Sequence, residues 1–229
     1  MMARLPLLVF DVNETLLDLE SLTPFFSRRF GDKNVMRTWF AQLVLYSQSL
    51  SLTGGYIPFG ILGAEVLKMV AATLRVNINK EDFAELKYLI ENMPALPEVA
   101  GALTQLQNAG FRLFTLTNNP QATLTTQLTH AELTGFFERH FSVDDSVKCY
   151  KPAPSVYQYV ATELQVSANA LCLVACHTWD IIGARSAGWD AAMILHSGNA
   201  QLGAGGQPHV IGNNVSDIAD KLIARYVTV

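Results

Sequence analysis

The chain has 229 residues, half of them apolar, 10% aromatic and 16% charged, a globular composition that at this length buries roughly 70–75% of the unfolded surface. Sixteen basic against twenty acidic residues leave a net charge of −4, which cannot neutralise a polyanion and argues against nucleic-acid binding. The three cysteines (Cys149, Cys172, Cys176) lack metal-ligand spacing, and their odd, low count argues for a reducing compartment over a disulfide framework.

The opening MMARLPLLVF reads as a first strand, Leu5–Phe10, because its apolar run stops at Asp11 and carries no small-residue cleavage site. From about Leu19 to Met93 no strand pattern occurs. Three or four amphipathic helices fit instead, with Met36, Phe40, Leu43 and Ser47 at helical spacing, then Phe59, Leu62, Val66, Met69 and Leu74, then Phe83, Leu86 and Ile90. The uncharged stretch Thr38 to Ala64 within this block is broken by Gln42, Gln48, Gly54, Gly55 and Pro58, too polar to span a bilayer. A soluble, cytoplasmic protein without a membrane partner is expected.

Beyond the helical block, Pro97 opens a helix striped by Val99, Leu103 and Leu106 and closed by Gly110. A second strand follows at Phe111–Leu116. Pro152 and Pro154 open a helix running towards Leu164, with Val156, Tyr157, Val160 and Ala161 inward. Further strands are read at Leu171–Ala175, Ala191–Leu195 and His209–Ile211, with Gly198–Gly206 as a surface loop. Continuous apolar strands alternating with helices predict an α/β fold, a Rossmann-like parallel sheet covered on both faces. The expected division is a core of residues 1–16 and 95–229 with an inserted all-helical cap, 17–94, lying over the working edge of the sheet.

Four places along one sheet edge carry chemistry. Asp11 closes the first strand, and in open parallel sheets ligands bind outside the carboxyl ends of the strands. Thr117-Asn118 closes the second. Lys151 precedes Pro152 near a helix start, where a cation has no helical rationale. The strand Leu171–Ala175 runs into Cys176-His177-Thr178-Trp179-Asp180.

An acid, a hydroxyl, a lysine and a second acid in this order resemble the haloacid dehalogenase superfamily, over nearly the whole chain. Within it the chain is most similar to the type II L-2-haloacid dehalogenases. Their YKPxxxVY segment stands here as Tyr150-Lys151-Pro152-Ala153-Pro154-Ser155-Val156-Tyr157, and their SxNxWDxxGAR motif as Ala175 to Arg185. The resemblance implies metal-independent displacement of halide from a small 2-haloalkanoic acid, giving the 2-hydroxy acid. Asp11 is then the nucleophile that forms an aspartyl ester, Lys151 keeps it ionised, and Asp180 with Lys151 activates the hydrolytic water. Thr117 and the backbone N–H groups after the first strand, at Val12 and Asn13, hold the substrate carboxylate. Asn118 and Tyr157 are further substrate-binding candidates, Tyr157 by hydrogen-bonding within this polar cluster or else packing its helix half-buried, and Thr15 supports the Asp11 loop. No cofactor and no metal are implied, and the apolar cap helices leave a homodimer open.

The residues themselves favour this branch over the Mg²⁺-dependent phosphatases. Where those enzymes place a general-acid aspartate two residues after the nucleophile, this chain has Asn13, which exchanges no proton. In place of a metal-binding acid in the last motif stands Cys176, a poor ligand for a hard cation. The chain also departs from the dehalogenases. Aligned on Trp39, their cap arginine is Phe40 here, with Arg37 three residues earlier as a substitute or a solvated side chain; their last-motif serine and asparagine are Ala175 and His177. Phe40 and His177 are thus candidate substrate contacts, and His177 stands open between a second base or hydrogen-bond donor near Asp180 and a structural contact of its loop. A phosphatase acting on a small phosphate ester with Mg²⁺, and a non-catalytic protein binding a metabolite beneath its cap, are the alternative readings.

Overall fold

A computed structural model describes residues 5–144, 146–196 and 198–227. Six parallel strands form one sheet in the order β3-β2-β1-β4-β5-β6, where β1 is Leu7–Phe10, β2 Leu113–Thr117, β3 Arg139–Ser142, β4 Leu171–Ala175, β5 Asp190–Ile194 and β6 Val210–Gly212. The strand order reverses on either side of β1, which opens a crevice beyond the carboxyl ends of β1, β2 and β4. All residues of β1, β2 and β4 are buried, as continuous apolar runs covered by helices on both faces require. Covering the sheet are α5 (Val99–Asn108), α6 (Gln121–His130), α7 (Pro154–Glu163), α8 (Thr178–Ser186) and α9 (Val215–Tyr226).

Between β1 and β2 lies an all-helical insertion: α1 (Thr23–Phe30), α2 (Val35–Leu52), α3 (Phe59–Leu74) and α4 (Lys80–Glu91). Its apolar stripes meet over Phe26, Trp39, Leu43, Leu62, Val66 and Leu86, all buried. The expected stripe position Leu74 is instead 48% exposed at the end of α3, and Met69 is on the outer face. The outgoing and returning segments of the insertion run side by side: Asp18 N–H donates to Pro94 O at 2.8 Å and Leu96 N–H to Leu16 O at 2.9 Å. Gln127 on α6 adds a tie, donating to Ile90 O on α4 at 2.9 Å.

β4 has the bounds read from the sequence, the other strands read there differ by one or two residues, and β3 is absent from that reading. Its sequence Arg-His-Phe-Ser sits at the sheet edge, with Arg139 exposed and paired to Glu163, so it lacks the apolar run that reveals a central strand. Helix α7 begins at Pro154, two residues later than read, which leaves Lys151 in the turn that follows β3. Among the described residues no helix is long and apolar enough to cross a membrane.

Candidate active site

Asp11 leaves β1 into the crevice with its backbone N–H held by Val174 O of β4, and its side chain is 93% buried. Its two carboxylate oxygens have different partners. Oδ1 accepts from Lys151 Nζ at 2.8 Å. Oδ2 accepts from the Thr15 hydroxyl at 2.8 Å and faces His177 Nδ1 at 3.2 Å. Burial alone would raise the Asp11 carboxyl; the Lys151 ammonium and the His177 ring outweigh it and hold the group far below the usual carboxylate range. Asp11 is therefore an ionised, desolvated carboxylate.

Lys151 is itself buried and spends all three donors, on Asp11, on Asp180 Oδ2 at 2.6 Å and on Leu116 O at 3.1 Å. Burial would lower its pKa; Asp11 and Asp180 outweigh that and raise it, so the ammonium stays charged. Its backbone is fixed too, with the N–H donating to Asn118 Oδ1 at 3.0 Å. Asp180, in the first turn of α8, has no exposed surface. Its Oδ1 accepts from the Tyr157 hydroxyl of α7 at 2.5 Å and its Oδ2 from Lys151. Tyr157 is fully buried among these groups, and burial, followed by the Asp180 charge, pushes its pKa well above 10, which keeps it a donor.

Thr15 does more than support its own loop: its hydroxyl also accepts the Cys176 backbone N–H at 3.2 Å, tying the loop after β1 to the loop after β4. Thr117, the last residue of β2, accepts from Asn119 N–H at 3.2 Å and lines a small space of about 20 Å³ in front of Asp11. Asn118, Asn13, Phe40, His177 and Trp179 line the same space. The Val12 side chain is fully buried in the core, so only its backbone belongs to the site. Asn13 accepts from Asn119 Nδ2 at 3.3 Å and Gln127 Nε2 at 3.2 Å. A larger cavity of about 400 Å³, walled mainly by apolar side chains of the helical insertion such as Leu22, Leu43 and Leu86, shares Asn13, Phe40 and Phe59 with that small space.

The sequence reading left His177 and Arg37 with two readings each and did not name Glu14. The structure joins the three. His177 Nε2 faces Glu14 Oε2 at 2.9 Å, its ring stacks on Trp179 with centroids 5.0 Å apart, and Phe40 packs against it at 5.6 Å. Arg37 bonds Glu14 and Glu20, so its charge is engaged beside the loop after β1 and it does not line the space around Asp11. Glu14 has a backbone φ of +66°, the left-handed region that side chains other than glycine seldom adopt. Burial would raise its carboxyl, but His177 and Arg37 hold it down at about 2. Its one signal in the sequence was an acid three residues after the nucleophile position.

Asp11, Cys176 and His177 also bring a carboxylate oxygen, a sulfur and a ring nitrogen within 4.8 Å of one another. This set does not fit Mg²⁺, which takes oxygen ligands in octahedral array. Cys176 offers sulfur, and the Asp11 oxygens already serve Lys151, Thr15 and His177.

Comparisons with known proteins give the family and the fold. Residues 56–194 match the family model described as haloacid dehalogenase-like hydrolase. The (S)-2-haloacid dehalogenase 4A of Burkholderia cepacia is 29% identical over 193 residues, covering 83% of each chain. The crystal structure of an L-2-haloacid dehalogenase superposes with a TM-score of 0.91 at 26% identity, covering 96% of this chain and 99% of the other. A dehalogenase solved with an intermediate complex gives 0.89 at 26% identity, covering 96% and 98%. A family model that matches more than half of the chain makes it a member of the haloacid dehalogenase-like hydrolases.

Proposed function

We propose that this hydrolase displaces halide from 2-haloalkanoic acids through an ester on Asp11, giving the 2-hydroxy acid, with Asp11, Lys151 and Asp180 as its working core. The observation that carries the proposal is the 2.8 Å contact between a buried, ionised Asp11 and a Lys151 whose remaining donors are fully engaged. Such a carboxylate is a nucleophile without a proton to lose, suited to a leaving group that needs none. Oδ2, on the side of His177 and the pocket, attacks the carbon bearing the halogen, and the halide departs with the bonding electrons. Oδ1 stays on Lys151, which stabilises negative charge on that oxygen when water later adds to the ester carbon. Asp180, held by Tyr157, fixes the ammonium. Thr117, Asn118 and the backbone N–H groups of Val12 and Asn13 receive the substrate carboxylate, and Phe40 and His177 close over it.

Phe40 gives the site no guanidinium, while the adjoining 400 Å³ apolar cavity offers room that a methyl substituent leaves unfilled. The reading therefore favours 2-haloacids with a longer apolar chain. Residues 17–94 act as the cap, bounded by the paired crossing segments at Leu16–Asp18 and Pro94–Leu96. Leu45, Leu52 and Ile61, at least half exposed on α2 and α3, support a homodimer through this cap. Three unpaired cysteines support a cytoplasmic setting.

The test is release of halide from (S)-2-chloropropanoate and (S)-2-bromohexanoate with and without a chelator. Chelator-insensitive release, abolished in Asp11→Asn, is the expected result. Mg²⁺-dependent release of phosphate from an aryl phosphate, with no halide from either acid, would overturn it.

A further inference from the structure

Two carboxylates lie near the nucleophile's partners, and they are not equally available to water. Asp180, the residue the family resemblance assigns to water activation, has no exposed surface and does not line the space in front of Asp11. One of its oxygens accepts from Tyr157 and the other from Lys151. His177 does line that space, and its side chain retains 13% exposure.

The surroundings of His177 form a chain of contacts. Nδ1 faces Asp11 Oδ2 at 3.2 Å and Nε2 faces Glu14 Oε2 at 2.9 Å. Glu14 is in turn held by Arg37, and its backbone lies in the left-handed region. A nucleophile, a base in contact with it, and a third group orienting the base is the logic of a catalytic triad, here with a carboxylate as nucleophile. Trp179, stacked on the ring, and Phe40, tilted against it, restrict the ring plane.

We infer that His177, oriented by Glu14, is the base that activates the water hydrolysing the Asp11 ester. The inference rests on the ester proposed above. The ionised or titratable groups facing the ring are Asp11, Glu14 and Cys176, with Arg37 and His196 reaching Glu14 behind them and Lys151 reaching Asp11. A carboxylate can only accept, so a ring flanked by Asp11 and Glu14 carries hydrogen on both nitrogens before substrate arrives. In agreement, Cys176, Asp11 and Glu14 outweigh burial and raise the His177 pKa well above the ordinary histidine value.

Esterification changes that state. When Asp11 Oδ2 bonds to the substrate carbon and halide leaves, Asp11 loses its negative charge, and the Nδ1 proton of His177 passes to solvent as the counterpart of the released halide. The bare Nδ1 then faces a water beside the Asp11 ester carbon. As the water oxygen bonds to that carbon, one of its protons goes to Nδ1. The carbon–oxygen bond to the substrate breaks, the other water proton ends on the hydroxyl of the product, and Asp11 returns as a carboxylate beside a protonated His177. Each turnover thus releases one halide and one proton, and the base is uncovered only once the ester exists.

The test is intact-protein mass spectrometry and halide counting with (S)-2-chloropropanoate, on the wild type and on His177→Gln and His177→Asn. The second variant carries the asparagine of the resembled family and guards against misfolding of the first. Both should release about one halide per chain, gain the mass of the substrate without its halogen on Asp11, and hydrolyse that adduct about 10²–10⁴-fold slower than wild type. Glu14→Gln, which alters a positioning residue, should slow hydrolysis of the adduct more than its formation and move the acid limb of the hydrolytic step to lower pH. Wild-type turnover in both histidine variants would overturn the inference and return the water to Asp180. Loss of both adduct and halide in those variants would overturn it as well, because His177 would then be required to form the ester rather than to hydrolyse it. If the wild type itself releases no halide and gains no mass, the Asp11 ester falls and the inference with it.

Discussion

Gly183 on α8 packs directly against Tyr157 on α7: a Cβ built on Gly183 would lie 2.7 Å from Tyr157 Cε2, and 2.6 Å from Pro152 Cβ. Both neighbours are rigid, and both adjoin the site, since Tyr157 holds Asp180 and Pro152 follows Lys151. The glycine of the last motif is thus explained by close approach of two helices, α7 and α8, beneath the charged cluster.

Gly183→Ala should accordingly lower stability by about 1–3 kcal/mol through overpacking. It should also slow turnover by displacing Tyr157 from Asp180. Thermal unfolding and halide release measure the two effects. A neutral outcome in both would show that the helices separate without consequence.

Lys151→Met leaves two buried carboxylates, Asp11 and Asp180, facing each other without their shared cation. Removing one partner of a buried ionic group costs roughly 3–5 kcal/mol. Chemical denaturation of Lys151→Met should show a loss of that order, and adding Asp11→Asn should recover part of it, because these sites are in contact and non-additive. Additive losses would mean that the carboxylates do not repel across the site.

The Glu14–His177 pair also makes stability depend on pH in a stated direction. Glu14 is lowered from 4.5 to about 2 on folding, so its contribution is complete above pH 4.5 and is lost as pH falls towards 2. His177 is raised, so its contribution is complete below 6.5 and is lost as pH climbs through its folded value. The wild type should exceed Glu14→Gln in stability most strongly between about pH 4.5 and 6.5, by up to ~3 kcal/mol, and least at the extremes. Denaturation of both proteins across pH 2–10 checks the shape. A difference that keeps growing towards pH 2 would contradict it.

Much of this was readable beforehand, for physical reasons. β1, β2 and β4 show as apolar runs because both faces are buried; Asp11 stands out at the carboxyl end of such a strand, Lys151 as a cation at a helix start that the macrodipole disfavours, and Asp180 in the motif that follows β4. β3 did not show, since an edge strand carrying Arg139 and His140 needs only Phe141 and Ser142 inside. Glu14 did not show either. Its place beside His177 depends on a left-handed backbone residue and on a loop 163 residues away, and neither leaves a periodic signature. Arg37 was likewise undecided, because which acid it meets is settled by how α2 crosses the loop after β1.

Substrate preference should follow the apolar cavity. Each methylene buried is worth about 0.8 kcal/mol, or roughly a fourfold gain in kcat/KM, so the series from 2-bromopropanoate to 2-bromohexanoate should rise steeply. Ala64→Phe, which fills the cavity away from Asp11, should flatten the series while sparing the shortest acid. A flat series in the wild type would detach the cavity from the substrate.

The claim beneath all of these is the transient bond between Asp11 and substrate, and a single turnover in ¹⁸O-labelled water with enzyme in excess over 2-haloacid tests it most directly. The account predicts heavy oxygen in the Asp11 carboxylate and unlabelled 2-hydroxy acid, because the product takes its oxygen from the enzyme. Label in the product with none in Asp11 would mean that water attacks the substrate carbon itself, and would contradict the account.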